Sequence, residues 1–306
     1  MDLQIDQLRT LVAVMDHGTL DAAARELRVT PSAVSQRLKA LESSVGQVLV
    51  RRTRPARATE PGKVILRVAR QMILLNDDAG LELAGTRTAG ATTIPIVING
   101  DSLNTWALAA LARVDPDQPI SFEVHRADEG LSVELLRNGT VMAAVTSVAD
   151  PVPGCSVRRL GTMVYRPMAH PDFAARWFSG GPTVQALSAA PVVVFDRDDT
   201  LQDRYLRRKT RRRISPPRHF IPVSADFARA IALGLGWGMI PPQQSADFEA
   251  AGDLVEFDPP THVDVALYWQ QWKLHSPMLD RLADAMITTA AEQLTSTGPA
   301  SARRGS

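Results

Sequence analysis

The clearest chemistry in this 306-residue sequence lies between Thr30 and Lys39. Ser32, Ser35, Gln36, Arg37 and Lys39 alternate with Val34, Leu38 and Leu41, whose spacings of four and three describe one face of a helix. The polar face then carries short hydroxyls, an amide and two cations. Serine, glutamine and arginine there can hydrogen-bond base edges in a DNA major groove, while Lys39 suits a phosphate. Thr30 before Pro31 is a helix start, because the hydroxyl accepts from a free amide and proline in the first turn forfeits no hydrogen bond. A second set of cations, Arg51, Arg52, Arg54 and Arg57, fits phosphate or a narrow minor groove, where A·T-rich DNA concentrates negative potential. For any one of these residues the alternative is contact with water alone.

A different chemistry sits further along, in Asp101, Ser102, Leu103, Asn104, Thr105 and Trp106. This stretch follows the apolar run TIPIVIN and is expected to be a loop leading from a strand's carboxyl end into a helix. Free amides and the helix dipole favour a carboxylate at such a place. Ser102 and Thr105 could add hydroxyl donors, and Thr146 and Ser147, ending another strand, could complete the site. Helix capping is the plainer reading of the same residues.

Catalysis is not indicated. Cys155 lies in a Pro/Gly-rich turn without histidine and acid partners, and His170 and His219 lack metal-ligand companions. One cysteine excludes an internal disulfide and a multi-cysteine zinc site. The chain is expected to be no enzyme and to need no cofactor or metal. Apolar content of 45% is ordinary for a soluble protein, and apolar runs such as 141–148 are far shorter than a membrane span. No leader segment is visible at the acidic start MDLQID, so a cytoplasmic location without membrane attachment is expected. Net charge is +1 overall, divided as +5 over residues 1–70 and −4 beyond, the pattern of a basic nucleic-acid module on a mildly acidic body. The run RRKTRRR at 207–213 reads as a solvated loop rather than a second DNA site.

These groups need elements to hold them. Residues 4–15 and 19–27 supply two helices before the one starting at Thr30, and Thr19 is placed to cap the second. Val48–Val50 with the basic loop after it reads as a strand and wing. From Thr59 a long helix carries Ile65, Val68, Met72, Leu75 and Ala79 at 4-3-4-3 spacing, which suits pairing with a second copy; docking on its own body is the alternative. Residues 85–93 (GTRTAGATT) read as a hinge. Short β-rich runs at 93–99, 120–125, 142–146, 192–195 and 238–240 then alternate with helical segments. That alternation predicts parallel sheets in two α/β lobes.

The sequence resembles the LysR-type transcriptional regulators, and within them the LysG/ArgP-like lysine and arginine export activators. The resemblance spans nearly the whole chain. It rests on AAARELRVTPSAVSQRLKALE and VLVRRTRPARATEPG at the front, and on INGDSLNTW, PVPGCSVRRLGTM, LGLGWGMIP and LYWQQWKL in the body. It implies an α/β chain with a winged helix-turn-helix over 1–58 and a dimerising linker helix with hinge over 59–88. A two-lobed effector domain like a periplasmic binding protein follows over 89–306. Lobe I would span about 92–164 and 268–294 and lobe II about 165–267, with 295–306 a tail that reads as disordered.

The implied partners are double-stranded promoter DNA, RNA polymerase, further copies of the chain as a dimer of dimers, and a basic amino acid held between the lobes. A ligand cation would draw carboxylates, so Asp101, Asp128, Glu129, Asp196, Asp198, Asp203 and Asp226, at expected strand ends or helix starts, are candidates, several of which must be mere caps. Trp106, Trp237, Trp269 and Trp272 suit a core better than a cation platform. A regulator of a different small molecule and a solute-binding protein remain the alternatives.

Overall fold

The computed structural model describes residues 2–84, 92–114, 120–127 and 129–295. Three helices open the chain: α1 (Ile5–His17), α2 (Leu20–Glu26) and α3 (Pro31–Val45). Their boundaries follow the side chains. The Thr19 hydroxyl accepts from the Ala22 amide at 3.1 Å and the Thr30 hydroxyl from Ala33 at 3.2 Å, satisfying donors that a helix start leaves free. Gly18 and Gly46 close α1 and α3 with φ of +71° and +75°, where a side chain would be strained. The turn between α2 and α3 bends through Arg28, a non-glycine residue at φ +53°.

A two-residue hairpin, β1 (Val50–Arg51) and β2 (Arg57–Ala58), forms the wing. The long α4 (Glu60–Ala84) follows, with the Thr59 hydroxyl accepting from Gly62 at 3.0 Å. Leu8, Leu11 and Val14 of α1, Ala23 of α2, Val34, Leu38 and Leu41 of α3, and Ile65, Leu66 and Ala69 of α4 share one core. Ile65 is therefore not part of an exposed pairing seam. The first turns of α4 are committed to the front module, and the exposed stripe starts one residue earlier, at Val64.

Next come β3 (Thr92–Ile98), α5 (Gly100–Ser102), a π-helical turn (Leu103–Ala107), α6 (Leu108–Ala112), β4 (Ile120–Arg126), α7 (Glu129–Arg137), β5 (Ala143–Thr146) and β6 (Cys155–Ala169). They are followed by α8 (Pro171–Phe178), α9 (Val184–Ala189), β7 (Val192–Val194), α10 (Leu201–Lys209), β8 (Arg218–Phe220) and α11 (Ser224–Ala232). The chain ends through β9 (Gly238–Ile240), α12 (Pro242–Ala251), β10 (Val255–Glu256), β11 (Val263–Trp272) and α13 (Pro277–Gln293). The loop expected at 100–106 is thus helical from Gly100 onward.

Two compact units emerge: residues 1–98, 112–158 and 269–285, and residues 99–111, 159–268 and 286–306. In the first, β3 lies between β4 and β5, parallel to both, as the strand–helix alternation predicts. In the second, β7 and β8 are parallel. Other pairings depart from the parallel expectation: β9 and β10 both pair antiparallel to β6. The core of this unit gathers Met168, Val193, Phe227, Ile231, Ile240 and Leu254. Beside it Phe178 stacks on Phe257 at 4.3 Å, with Tyr205 and Trp237 edge-on to the same ring. Trp237, Trp269 and Trp272 are all core residues.

Candidate nucleic-acid interface and ligand site

Helix α3 presents the face that its sequence implies. Val34, Leu38 and Leu41 are fully buried, while Ser32, Gln36 and Lys39 are exposed and Ser35 and Arg37 half-exposed. Thr30 is exposed but its oxygen serves as the helix cap, and Arg37 makes a long ion pair with Asp6 at 3.7 Å. Ser32, Ser35, Gln36 and Lys39 thus remain the side chains most open to a groove. Arg51, Arg52, Arg54 and Arg57 are all exposed on the wing, and Arg51 stands directly across the hairpin from Arg57. The other expected basic run is dispersed into structure at its start. Arg208 donates to the His262 carbonyl, Lys209 pairs with Asp258, and Arg211, Arg212 and Arg213 are exposed.

Helix α4 has two apolar faces. One packs on α1 through Ile65, Leu66, Ala69 and Leu74, all buried. The other exposes Val64, Met72, Leu75 and Leu83, with half-buried Val68 and exposed Ala79 between them. Docking on the front module and an exposed apolar stripe therefore coexist on one helix.

The proposed ligand residues separate into two groups. In the second unit, Asp101 is a hub. Its carboxylate accepts from the Tyr165 hydroxyl at 2.8 Å, the Ser224 hydroxyl at 2.7 Å and the Gln244 amide at 3.1 Å. Tyr165, Ser224 and Gln244 carried no signal in the sequence, because they come from three distant segments. Close to Asp101 in the chain lie polar atoms without partners among the described residues: the Asn99 side-chain Oδ1, the Ser102 hydroxyl and the Trp106 indole N–H, all buried. Leaving such groups unsatisfied costs about 1–3 kcal/mol each, and sites that bind polar ligands are where that cost is met. A π-helical turn over Leu103–Ala107 accompanies them, with Thr105 bonded back to the Asp101 carbonyl at 2.7 Å. Leu103 is half-buried and Asn104 exposed.

The loop after β7 adds Asp199, which sequence reasoning passed over. Its carboxylate accepts from the Phe195 and Leu201 amides at 3.0 and 2.8 Å. Burial raises its pKa; those two amides oppose the shift, and the charges of Asp101 and Asp196 reinforce it. Burial, with Asp101 alongside, likewise lifts the Tyr165 phenol well above its usual range, so Tyr165 is a neutral donor.

The other expected acids have different work. Asp196 accepts from the Asp198 and Asp199 amides and shapes its own turn, and Asp203 is ion-paired to Arg218 at 2.5 Å. Asp198 and Asp226 are exposed. In the first unit Thr146 is buried, its hydroxyl accepting from the Val148 amide at 3.2 Å, and Ser147 is half-buried. Asp128 and the side chain of Glu129 lie outside the described residues. Cys155 is buried and its thiol is pushed up to about 11, chiefly by desolvation, so it is not a ready nucleophile.

Residues 5–63 match the bacterial regulatory helix-turn-helix family of the lysR type, and residues 93–291 match the LysR substrate binding domain. The transcriptional regulator LysG of Mycobacterium tuberculosis is 44% identical over 293 residues, 95% of each chain. Among solved structures, ArgP from the same species superposes with a TM-score of 0.85 at 42% identity, covering 97% of this chain and all of that one. Full-length LysG from Corynebacterium glutamicum with bound effector Arg gives a TM-score of 0.75 at 38% identity, over 96% of this chain and all of that one. With both halves matched and the relatives aligned end to end, the chain belongs to the LysR family of DNA-binding transcriptional regulators.

Proposed function

We propose that this regulator responds to a basic amino acid, arginine or lysine, and controls transcription of an export gene for it. The observation that carries the reading is the carboxylate pair Asp101 and Asp199 in one unit with the unpartnered Asn99, Ser102 and Trp106 atoms. Carboxylates and the Asn99 amide oxygen suit the cationic end and the ammonium of such a ligand, and the Ser102 hydroxyl and Trp106 N–H suit its carboxylate. The bound arginine of the C. glutamicum relative supports the same class. The protein acts by binding and not by turnover.

Ser32, Ser35, Gln36 and Arg37 read bases while Thr30, Lys39 and the wing arginines hold phosphates. Two copies pair through the exposed stripe of α4, which lets two recognition helices address two half-sites. A ligand shifts the output only as far as it prefers one arrangement of the oligomer over another.

Calorimetry with L-arginine, L-lysine and, as a control, L-glutamate tests the ligand class. Saturable binding of the cationic amino acids that Asp101→Asn weakens is expected. Burial raises the Asp199 pKa and a ligand cation beside it would lower it again, so arginine affinity should rise as pH rises through the Asp199 titration. Absence of binding at millimolar arginine and lysine would overturn the ligand class and leave DNA binding standing.

A further inference from the structure

Arg70 is the one arginine of α4 that is buried, 6% exposed, and its guanidinium has two partners from opposite ends of the chain's function. One arm donates to the carboxylate of Asp16, near the end of α1 in the DNA-binding module. The other donates to the main-chain carbonyl of Gly139, in the turn that closes α7 of the effector domain. All of these residues belong to the first compact unit, which holds the helix-turn-helix, α4 and the β3–β5 region together.

The turn that receives Arg70 is built for a close approach. Gly139 sits at φ +75°, and a Cβ there would lie 2.5 Å from the Arg67 Cα, so only glycine lets the turn rest on α4. Asn138 locks the turn by accepting from the Thr140 amide at 2.9 Å and its hydroxyl at 2.6 Å. Beside this contact lies a cavity of about 460 Å³, lined by Arg9, Asp16, Arg70 and Asp77 and by Thr93 and Glu123 of the effector domain, with apolar Val12, Leu74 and Met142 among them. The polar bonds of Arg70 thus stand beside space that packing does not fill. A contact that could be made or broken there would carry a signal between the two parts.

We propose that Arg70 is the positioning residue through which the effector domain holds the DNA-binding module, so that the effector signal reaches DNA through this buried clamp and not through the covalent connection alone. The idea rests on the DNA-binding and effector reading given above. A guanidinium is needed because its planar fork can serve a carboxylate and a carbonyl at once, which a lysine ammonium does less well. Coupling is reciprocal: if effector binding alters the DNA-binding module through Arg70, DNA binding must alter the Gly139 turn through it.

The test uses the full-length chain, with Arg70→Lys perturbing the clamp at its guanidinium and Gly139→Ala forcing the turn away from α4, since its Cβ would meet the Arg67 Cα. Two readouts are taken: the ratio of promoter affinity with and without saturating L-arginine, and the hydrogen exchange of residues 136–141 with and without promoter DNA. Coupling of ordinary strength gives the wild type a ratio of about 5–150-fold. Both variants are expected to bring the ratio close to one and to erase the DNA-dependent change in exchange, while still binding arginine and still melting cooperatively. A structural role alone would lower the melting temperature without moving the ratio. Retention of the wild-type ratio and exchange response in both variants overturns the clamp, as does a wild type whose residues 136–141 ignore DNA. A wild type that ignores arginine but shows a DNA-dependent exchange change abolished by the variants would sink the effector reading and leave the clamp in place.

Discussion

Arg51 and Arg57 face each other across a hairpin only two residue pairs long. Like charges directly opposite on adjacent strands repel by about 0.2–1 kcal/mol, so folding alone disfavours this pair. A polyanion reverses the sign. Each phosphate contact contributes about −0.9 to the slope of log K against log salt, which at 0.15 M amounts to roughly a fivefold gain in affinity. Arg57→Gln should therefore stabilise the fold by a few tenths of a kcal/mol and weaken DNA binding about fivefold. The Arg51→Gln/Arg57→Gln pair should lower the salt slope by about 1.8 and affinity about thirtyfold at 0.15 M. Fluorescence anisotropy from 50 to 300 mM KCl, on the promoter duplex and on a scrambled one, measures the slope, and urea unfolding measures the fold. The losses should be equal on both duplexes, since phosphates carry no sequence. An unchanged slope, or a loss confined to the promoter duplex, would refute the assignment of these residues to the backbone.

Gln36→Ala should behave oppositely, losing about 1–3 kcal/mol of discrimination on the cognate duplex with little effect on the scrambled one, in the same anisotropy assay. Leu75→Asp, on the exposed stripe of α4, should shift the protein toward monomer in sedimentation velocity while leaving helix content unchanged, because the side chain is 41% exposed in the single chain. Leu38→Ala, at a fully buried position, should cost about 2–5 kcal/mol in urea unfolding of the front module. Asp199 has a folded pKa raised above its unfolded value, so its contribution is present at low pH and lost as pH rises through the carboxylate range. The stability difference between wild type and Asp199→Asn should accordingly turn against the wild type as pH rises above about 4.

Legibility followed the range of the interactions. Thr19, Thr30, Pro31 and Gly46 act within one helical turn of themselves, so the boundaries of α2 and α3 could be read directly from residue types. The β3 and β5 runs were legible because buried strands are nearly continuous in apolar residues, and β4 because apolar and polar residues alternate along it. Strand β6 was not. Its CSVRRLGTMVYRPMA contains a glycine and a proline, which locally argue against a strand, and pairing with sequence-distant strands, β9, β10 and β11, makes it one. The seam of α4 was legible as a period but not as a register, since whether Val64 or Ile65 faces outward depends on how the first turns dock on α1.

The ligand region shows the same divide in sharper form. Asp101 could be singled out from its place after an apolar strand, yet what the carboxylate does is decided by Tyr165, Ser224 and Gln244, which lie 64, 123 and 143 residues away. No periodicity connects them. Asp196, Asp198 and Asp199 stand within four residues of each other in sequence and were indistinguishable there. The fold gives Asp196 its own turn, exposes Asp198, and half-buries Asp199 beside Asp101, where desolvation raises its pKa. A cationic ligand could find a carboxylate in either of the others, but one held beside Asp199 also lies near Asp101. Loss of arginine binding in Asp199→Asn, with binding retained in Asp198→Asn, is thus the observation that distinguishes a ligand held beside this half-buried acid from one resting on the exposed Asp198 of the same loop.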